Sequence, residues 1–110
     1  MATAFKNGVS AGIGTSESTV LTGGSGKQTT VIGLSIANIT GSAITVDVKV
    51  TDTSASATGF IVKGATINPG TSLVAIGGDQ KVVIEASDLL KVTSSASSSA
   101  DAIVSFLEVS

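Results

Sequence analysis

Histidine, cysteine, tryptophan, tyrosine and arginine do not occur anywhere in this 110-residue chain. Each absence closes off chemistry. Without histidine or cysteine there is no neutral-pH proton shuttle, no thiol nucleophile and no soft metal ligand. Without arginine there is no bidentate clamp for phosphate or carboxylate. Without tryptophan or tyrosine the usual stacking platforms for sugars and bases are missing, and three phenylalanines are the only aromatics. Charge is scarce as well: six lysines face eight carboxylates, for a net charge of −2 and a pI near 4.7. With no basic patch to neutralise phosphates, nucleic-acid binding is disfavoured. Apolar runs are short, as in Lys81-Val82-Val83-Ile84, and none approaches the ~20 residues of a membrane span. The start, Met1 to Lys6, lacks the charged-then-apolar order of a signal peptide. Zero cysteine means that the fold needs no oxidising compartment.

What is present is aliphatic and hydroxylated. Hydrophobic residues make 42% of the chain and charged ones 13%, while serine and threonine together number 31. The length fits one domain with one aliphatic core. The dominant period is two. In Ala43–Thr53, Ile44, Val46, Val48 and Val50 alternate with Thr45, Asp47, Lys49 and Thr51, the pattern of a half-buried antiparallel strand. In Val31–Asn38, Ile32, Leu34 and Ile36 are expected on one face, and the short link Asn38–Ser42 predicts a hairpin between these two strands. Further strands are expected at 19–22, 59–67, 72–76, 81–85, 88–94 and 102–109, separated by turns such as Asn68-Pro69-Gly70 and Gly77-Gly78-Asp79. The serine-rich run 94–100 reads as a hairpin loop joining the last two strands. No window carries a helical stripe with caps. The expected fold is all-β, an antiparallel β-sandwich of jelly-roll or immunoglobulin-like type with about 7–9 short strands. Residues 1–17 read as an N-terminal arm or edge strand, and 18–110 as a single sandwich domain.

Motifs with chemical content fail on inspection. Gly23-Gly24-Ser25-Gly26-Lys27-Gln28 has Leu21 and Gln28 where a phosphate loop needs glycine and a hydroxyl. Gly12-Ile13-Gly14 lacks the third glycine of a dinucleotide turn. Asn38-Ile39-Thr40 matches a glycosylation acceptor by chance, within the expected turn. Asp47, Asp52, Asp79, Asp88 and Asp101 show no calcium-loop spacing and read as turn residues bonded to backbone. Seventeen serines have no histidine partner, and no Ser–Lys pair stands out. The expectation is no catalytic residue, no metal site and no cofactor.

The last strand is apolar on both sides. Ile103, Leu107 and Val109 alternate with Ala102, Val104 and Phe106, broken only by Ser105 and Glu108. A sandwich strand needs one wet face, so its second face is expected to meet another subunit or the N-terminal arm. Val83 and Leu89, on the polar sides of their strands, point the same way. The expected interface set is Phe5, Val9, Ile13, Val83, Leu89, Val104 and Phe106. The first three serve as spaced anchors on a glycine-rich arm that reaches a neighbour.

Several segments resemble small virion structural proteins of tailed marine phages, T4-like cyanophages in particular. The resemblance rests on Thr30–Asn38, Ala43–Val50, Ile61–Ala65, Gly77–Glu85 with its Gly-Asp-Gln-Lys-Val turn, and the ending Ala102–Ser110. It spans nearly the whole chain and transfers no catalytic residue. It implies a non-enzymatic structural component of a virion and does not say where in the particle it sits. The leading expectation is a capsid decoration or cement protein on the capsid exterior, whose partners are the major capsid or other virion proteins. Further copies of the chain are expected from the two apolar faces of Ala102–Val109, as a trimer by the common symmetry of capsid add-on proteins. A neck or tail accessory protein is the alternative within the structural class. A host-surface or carbohydrate-binding module is the alternative from another class. Neither nucleic acid nor membrane is an expected partner.

Overall fold

A computed structural model describes residues 3–110, which form nine strands and no helix. The strands are β1 (Thr3–Ile13), β2 (Ser18–Thr22), β3 (Gln28–Asn38), β4 (Ile44–Asp52), β5 (Ala57–Ile67), β6 (Ser72–Ile76), β7 (Val82–Ile84), β8 (Leu89–Ser94) and β9 (Ala100–Val109). They build two antiparallel sheets. One runs β1-β9-β3-β6, with β7 also paired to β3, so that β6 and β7 together form one interrupted edge. The other runs β2-β8-β4-β5. Counting β6 and β7 as one, this is the eight-stranded jelly-roll order, in which the chain passes back and forth between the sheets. The only neighbours in sequence that pair as a hairpin are β4 and β5.

That topology corrects two readings. β3 and β4 lie in different sheets, so the link Asn38–Ser42 is a crossing between layers and not a hairpin turn. The serine-rich link between β8 and β9 crosses likewise. Short links are ambiguous from sequence, because a sandwich ~10 Å thick is spanned by the same few residues that close a hairpin.

Alternation then decides the interior. Ile44, Val46 and Val48 from β4 meet Leu90 and Val92 of β8. Facing them across the layer are Leu34 and Ile36 of β3, Val104 of β9, Ile76 and Ile84, all 2% exposed or less. Phe106 is the aromatic of this core. In β3 the period breaks. The register with β9 shifts between Val31 and Gly33, so Thr29 and Val31 point inward before the bulge and Leu34, Ile36 and Asn38 after it. Ile32, expected on the inner face, sits at the bulge and is only half-buried.

Buried polar groups fix the crossings. The Asn38 side chain donates to the Ser42 and Ile67 carbonyls at 2.8 and 2.9 Å, and its Oδ1 accepts from the Thr40 N–H and hydroxyl. With both amide hydrogens engaged and 2% exposure, this asparagine is a structural clamp and offers no acceptor for a glycan in the folded state. In the serine run, Ser94 and Ser99 are buried and hydrogen-bonded to each other, and Ser99 also donates to the Ala96 carbonyl. Gly23 abuts the β7–β8 turn, where an added Cβ would lie 1.9 Å from the Glu85 carbonyl oxygen. Only glycine fits that approach.

Candidate functional site

The two outer faces of the sandwich differ in kind. On the β2-β8-β4-β5 sheet, Glu17 pairs with Lys49 and Lys91, and Asp47 pairs with Lys63. Thr45, Thr51, Thr58 and Thr66 fill positions between them. Phe60 is half exposed there, but Lys49 and Lys63 sit over its ring at 5.7 and 4.8 Å. Cation–π contact accounts for its exposure without a partner.

The outer face of the β1-β9-β3-β6 sheet carries the opposite chemistry. Antiparallel partners point to the same side, so the register lays out rows across the strands. One row is Phe5, Leu107, Thr30 and Val83. Another is Val9, Ile103, Ser35 and Val74. Asn7, Ser105 and Gly33 lie between them. Phe5 is 77% exposed, Val9 67%, Val74 66%, Val83 62% and Ile103 49%. Among the described residues these five are most of the exposed large hydrophobics, and one sheet presents them all. Lysine and glutamate are absent from the rows. Asp101, a carboxylate at the margin, accepts from the Gly12 N–H at 2.9 Å. Lys6 and Glu108 pair in register with Phe106 and with Ala4 and Thr29, which places them on the opposite side of the sheet. A shallow groove of about 250 Å³ runs through the middle of the face, lined by Gly33, Val74, Gly77, Ile103 and Ser105. Two missing side chains, at Gly33 and Gly77, open it.

This surface corrects part of the expected interface. Phe5, Val9 and Val83 lie on it. Ile13, Val104 and Phe106 do not, being 3%, 1% and 8% exposed within the core. Val104 and Phe106 have inward parity in β9, and Ile13, in step with Phe5 and Val9 by number, is turned inward by the register shift between Ser10 and Ile13. Leu89 is half-buried on the other sheet, opposite Thr51 and Thr22. Residues 3–13 are no free arm. They form an edge strand hydrogen-bonded along β9, from Thr3 opposite Val109 to Ser10 opposite Ala102. The apolar side chains of this face outside the expected set are Ile103, Leu107 and Val74. The available signal was Ser105. A polar residue in mid-strand marks the outer face, whereas Glu108 lies near the strand end and turns to Lys6 and Lys27.

Other polar clusters have structural work. Asp52 and Asp88 come together with Glu85, their carboxylate oxygens within 4.8 Å; Asp47, Asp79 and Asp101 stand elsewhere. Asp88 is buried and already receives the Thr53 and Glu85 N–H groups at 3.1 and 3.0 Å, while Asp52 caps the Ser54–Ala55 turn. The trio is a loop clamp. An open depression of about 650 Å³ nearby brings Lys27 and Ser54 to one wall, but Ser54 donates to Asp52 and Lys27 to Glu108. Neither is arranged as base and nucleophile. Glu108 accepts from Lys6 at 2.6 Å and from Lys27 at 3.4 Å. The Lys6 hydrogen bond, with Lys27 behind it, holds its carboxyl below the usual glutamate range against some desolvation.

No family model matches the chain, and no curated protein or solved structure matches it.

Proposed function

We propose that this chain is a non-enzymatic structural protein of a virion, of the capsid decoration or cement kind. The observation that carries the proposal is the sidedness of the sandwich. One outer face is apolar and free of lysine and glutamate; the other is hydroxylated and charged. Exposed apolar side chains are ordinary when scattered singly; gathered on one face they mark an interaction surface. A small module that is buried on one side in an assembly and wetted on the other needs this division. Jelly rolls serve in capsids and in lectins alike, so the fold supports the role only by analogy. The resemblance of its strand segments to small virion proteins of tailed marine phages supports a structural part in a particle, and the capsid exterior is the place the decoration reading proposes for it.

Imaging of purified virions at residue resolution tests the reading. The expected result is density for the sandwich on the capsid exterior, and purified chain added to mature heads should raise their resistance to heat. Location at the neck or tail would replace the decoration role by an accessory one. Absence from the particle, or binding to host polysaccharide, would overturn the structural reading.

A further inference from the structure

We infer that the apolar face of the β1-β9-β3-β6 sheet is closed by a second copy of this chain in a two-fold dimer. The inference rests on the sided-sandwich reading above and names the occupant of that face. Three properties of the face select a copy of itself. First, charge: two identical faces that carried lysines or free carboxylates would repel on contact, but the rows Phe5–Leu107–Thr30–Val83 and Val9–Ile103–Ser35–Val74 contain none. Second, area: four strand positions at ~4.8 Å and ten residues at ~3.4 Å give about 650 Å² per copy. Two copies then bury about 1,300 Å², enough for a stable specific interface.

Third, shape. A two-fold axis parallel to the strands, between β9 and β3, lays β1 of one copy over the β6–β7 edge of the other and β9 over β3. That brings Phe5, at 77% the most exposed large apolar side chain of the described residues, to Val83 of the partner copy. Phe5 lies at one edge of the sheet and Val83 at the other, so the axis makes the same contact twice, which is what an isologous contact requires. Flat faces of two sheets also pack at about −30°, and their twist permits it. A three-fold ring needs two different complementary patches, and this face is a single one.

The chain has no cysteine, so a Phe5→Cys/Val83→Cys double variant provides a clean probe. Within one copy these residues are at opposite edges of the sheet, separated by β9 and β3, ~14 Å apart and beyond the ~7 Å limit for a disulfide. Only a neighbouring copy can bridge them. Light scattering of the wild-type chain at micromolar concentration should give twice 10.7 kDa, and mild oxidation of the double variant should trap that species. Phe5→Asp should weaken the dimer by at least ~100-fold, since the lost anchor counts in both halves. Phe60→Asp, on the charged face, should leave it unchanged, and circular dichroism should show both variants folded. A folded wild-type monomer at high micromolar concentration, a trimer, or oxidised double variant that stays monomeric overturns the inference. If the chain is monomeric but Phe5→Asp abolishes attachment to heads, the face belongs to the shell, and the virion reading survives without the dimer. If the dimer forms and no attachment is found, the dimer stands and the virion reading falls.

Discussion

Removing the Asn38 side chain should be among the most damaging polar substitutions in the molecule. Asn38 stands where β3 leaves its sheet, and four hydrogen bonds converge on its amide. Two go out to the Ser42 and Ile67 carbonyls and two come in from Thr40. Asn38→Ala deletes them all and leaves the Ile67 carbonyl without a donor beside the core. A net hydrogen bond contributes ~1 kcal/mol, and an orphaned buried acceptor costs ~1–3 kcal/mol, so a loss of about 3 kcal/mol is expected. For a domain of this size that lowers the thermal midpoint by about 12 °C, and the urea midpoint by about 2 M with an unchanged slope. Asn38→Asp sharpens the test. A carboxylate there would face two carbonyls in place of donating to them. Burial and those carbonyls would raise its folded-state pKa above the unfolded ~3.9. The protonated form is then the one the fold prefers, so the variant's deficit should be smallest below about pH 4 and grow as pH rises. Urea titrations of wild type and both variants at pH 3.5 and 7 decide the matter. A midpoint for Asn38→Ala within about 0.3 M of wild type, or an Asn38→Asp deficit independent of pH, would refute the clamp.

Other outcomes follow from the same geometry. Asp88→Ala frees the Thr53 and Glu85 amides and should cost about 2–3 kcal/mol in denaturant unfolding, with Asp88→Asn costing about half, because one oxygen is retained. Since both Asp88 oxygens are taken by backbone, millimolar calcium should leave the thermal midpoint unmoved; a rise of several degrees would reveal a metal site at Asp52, Glu85 and Asp88. Gly23→Ala, whose Cβ would sit 1.9 Å from the Glu85 oxygen, should cost more than ~3 kcal/mol or prevent folding; a soluble variant with wild-type melting contradicts the close approach. Lys6→Ala should raise the Glu108 pKa towards that of an ordinary glutamate, as read by NMR titration. Because the pKa of Glu108 is lowered in the fold, its contribution is present above the unfolded value and lost as pH falls through the folded one, so the variant should lose the corresponding acid-limb dependence. Deleting residues 2–14 removes an integral strand and the core residue Ile13, and should abolish cooperative unfolding, not merely weaken attachment.

Strand identity was legible in the residues, and strand partnership was not. β6 spans the residues its alternation predicts, and β4, with Ile44, Val46 and Val48 inward, follows its pattern closely. Partnership fails because period two says which way a side chain points, not which strand lies beside it. The Asn38–Ser42 link therefore reads as a hairpin. Ile32 shows a second limit: a single bulged residue reverses parity, and nothing in Val31-Ile32-Gly33-Leu34 announces it except the glycine. The apolar outer face was half visible. β9 is apolar on both sides, and parity alone cannot say which side is core. Val104 and Phe106 face inward because Ser105 occupies the middle of the outer row, beside Gly33 and Asn7.

The ninth strand lies at the heart of its sheet. β9 is hydrogen-bonded to β1 on one side and to β3 on the other, so until residues 100–109 have been synthesised those two strands have nothing to join them. The ribosome delivers the chain at ~5–20 residues per second, and throughout that interval the apolar sides of β1 and β3 wait unpaired. Completion of this jelly roll therefore waits for β9, with the slow, non-local closure that such pairings impose. A chain cut short before Ala100 would lose no peripheral ornament but the spine of a five-stranded sheet, and quality control would meet it as an unfolded polypeptide.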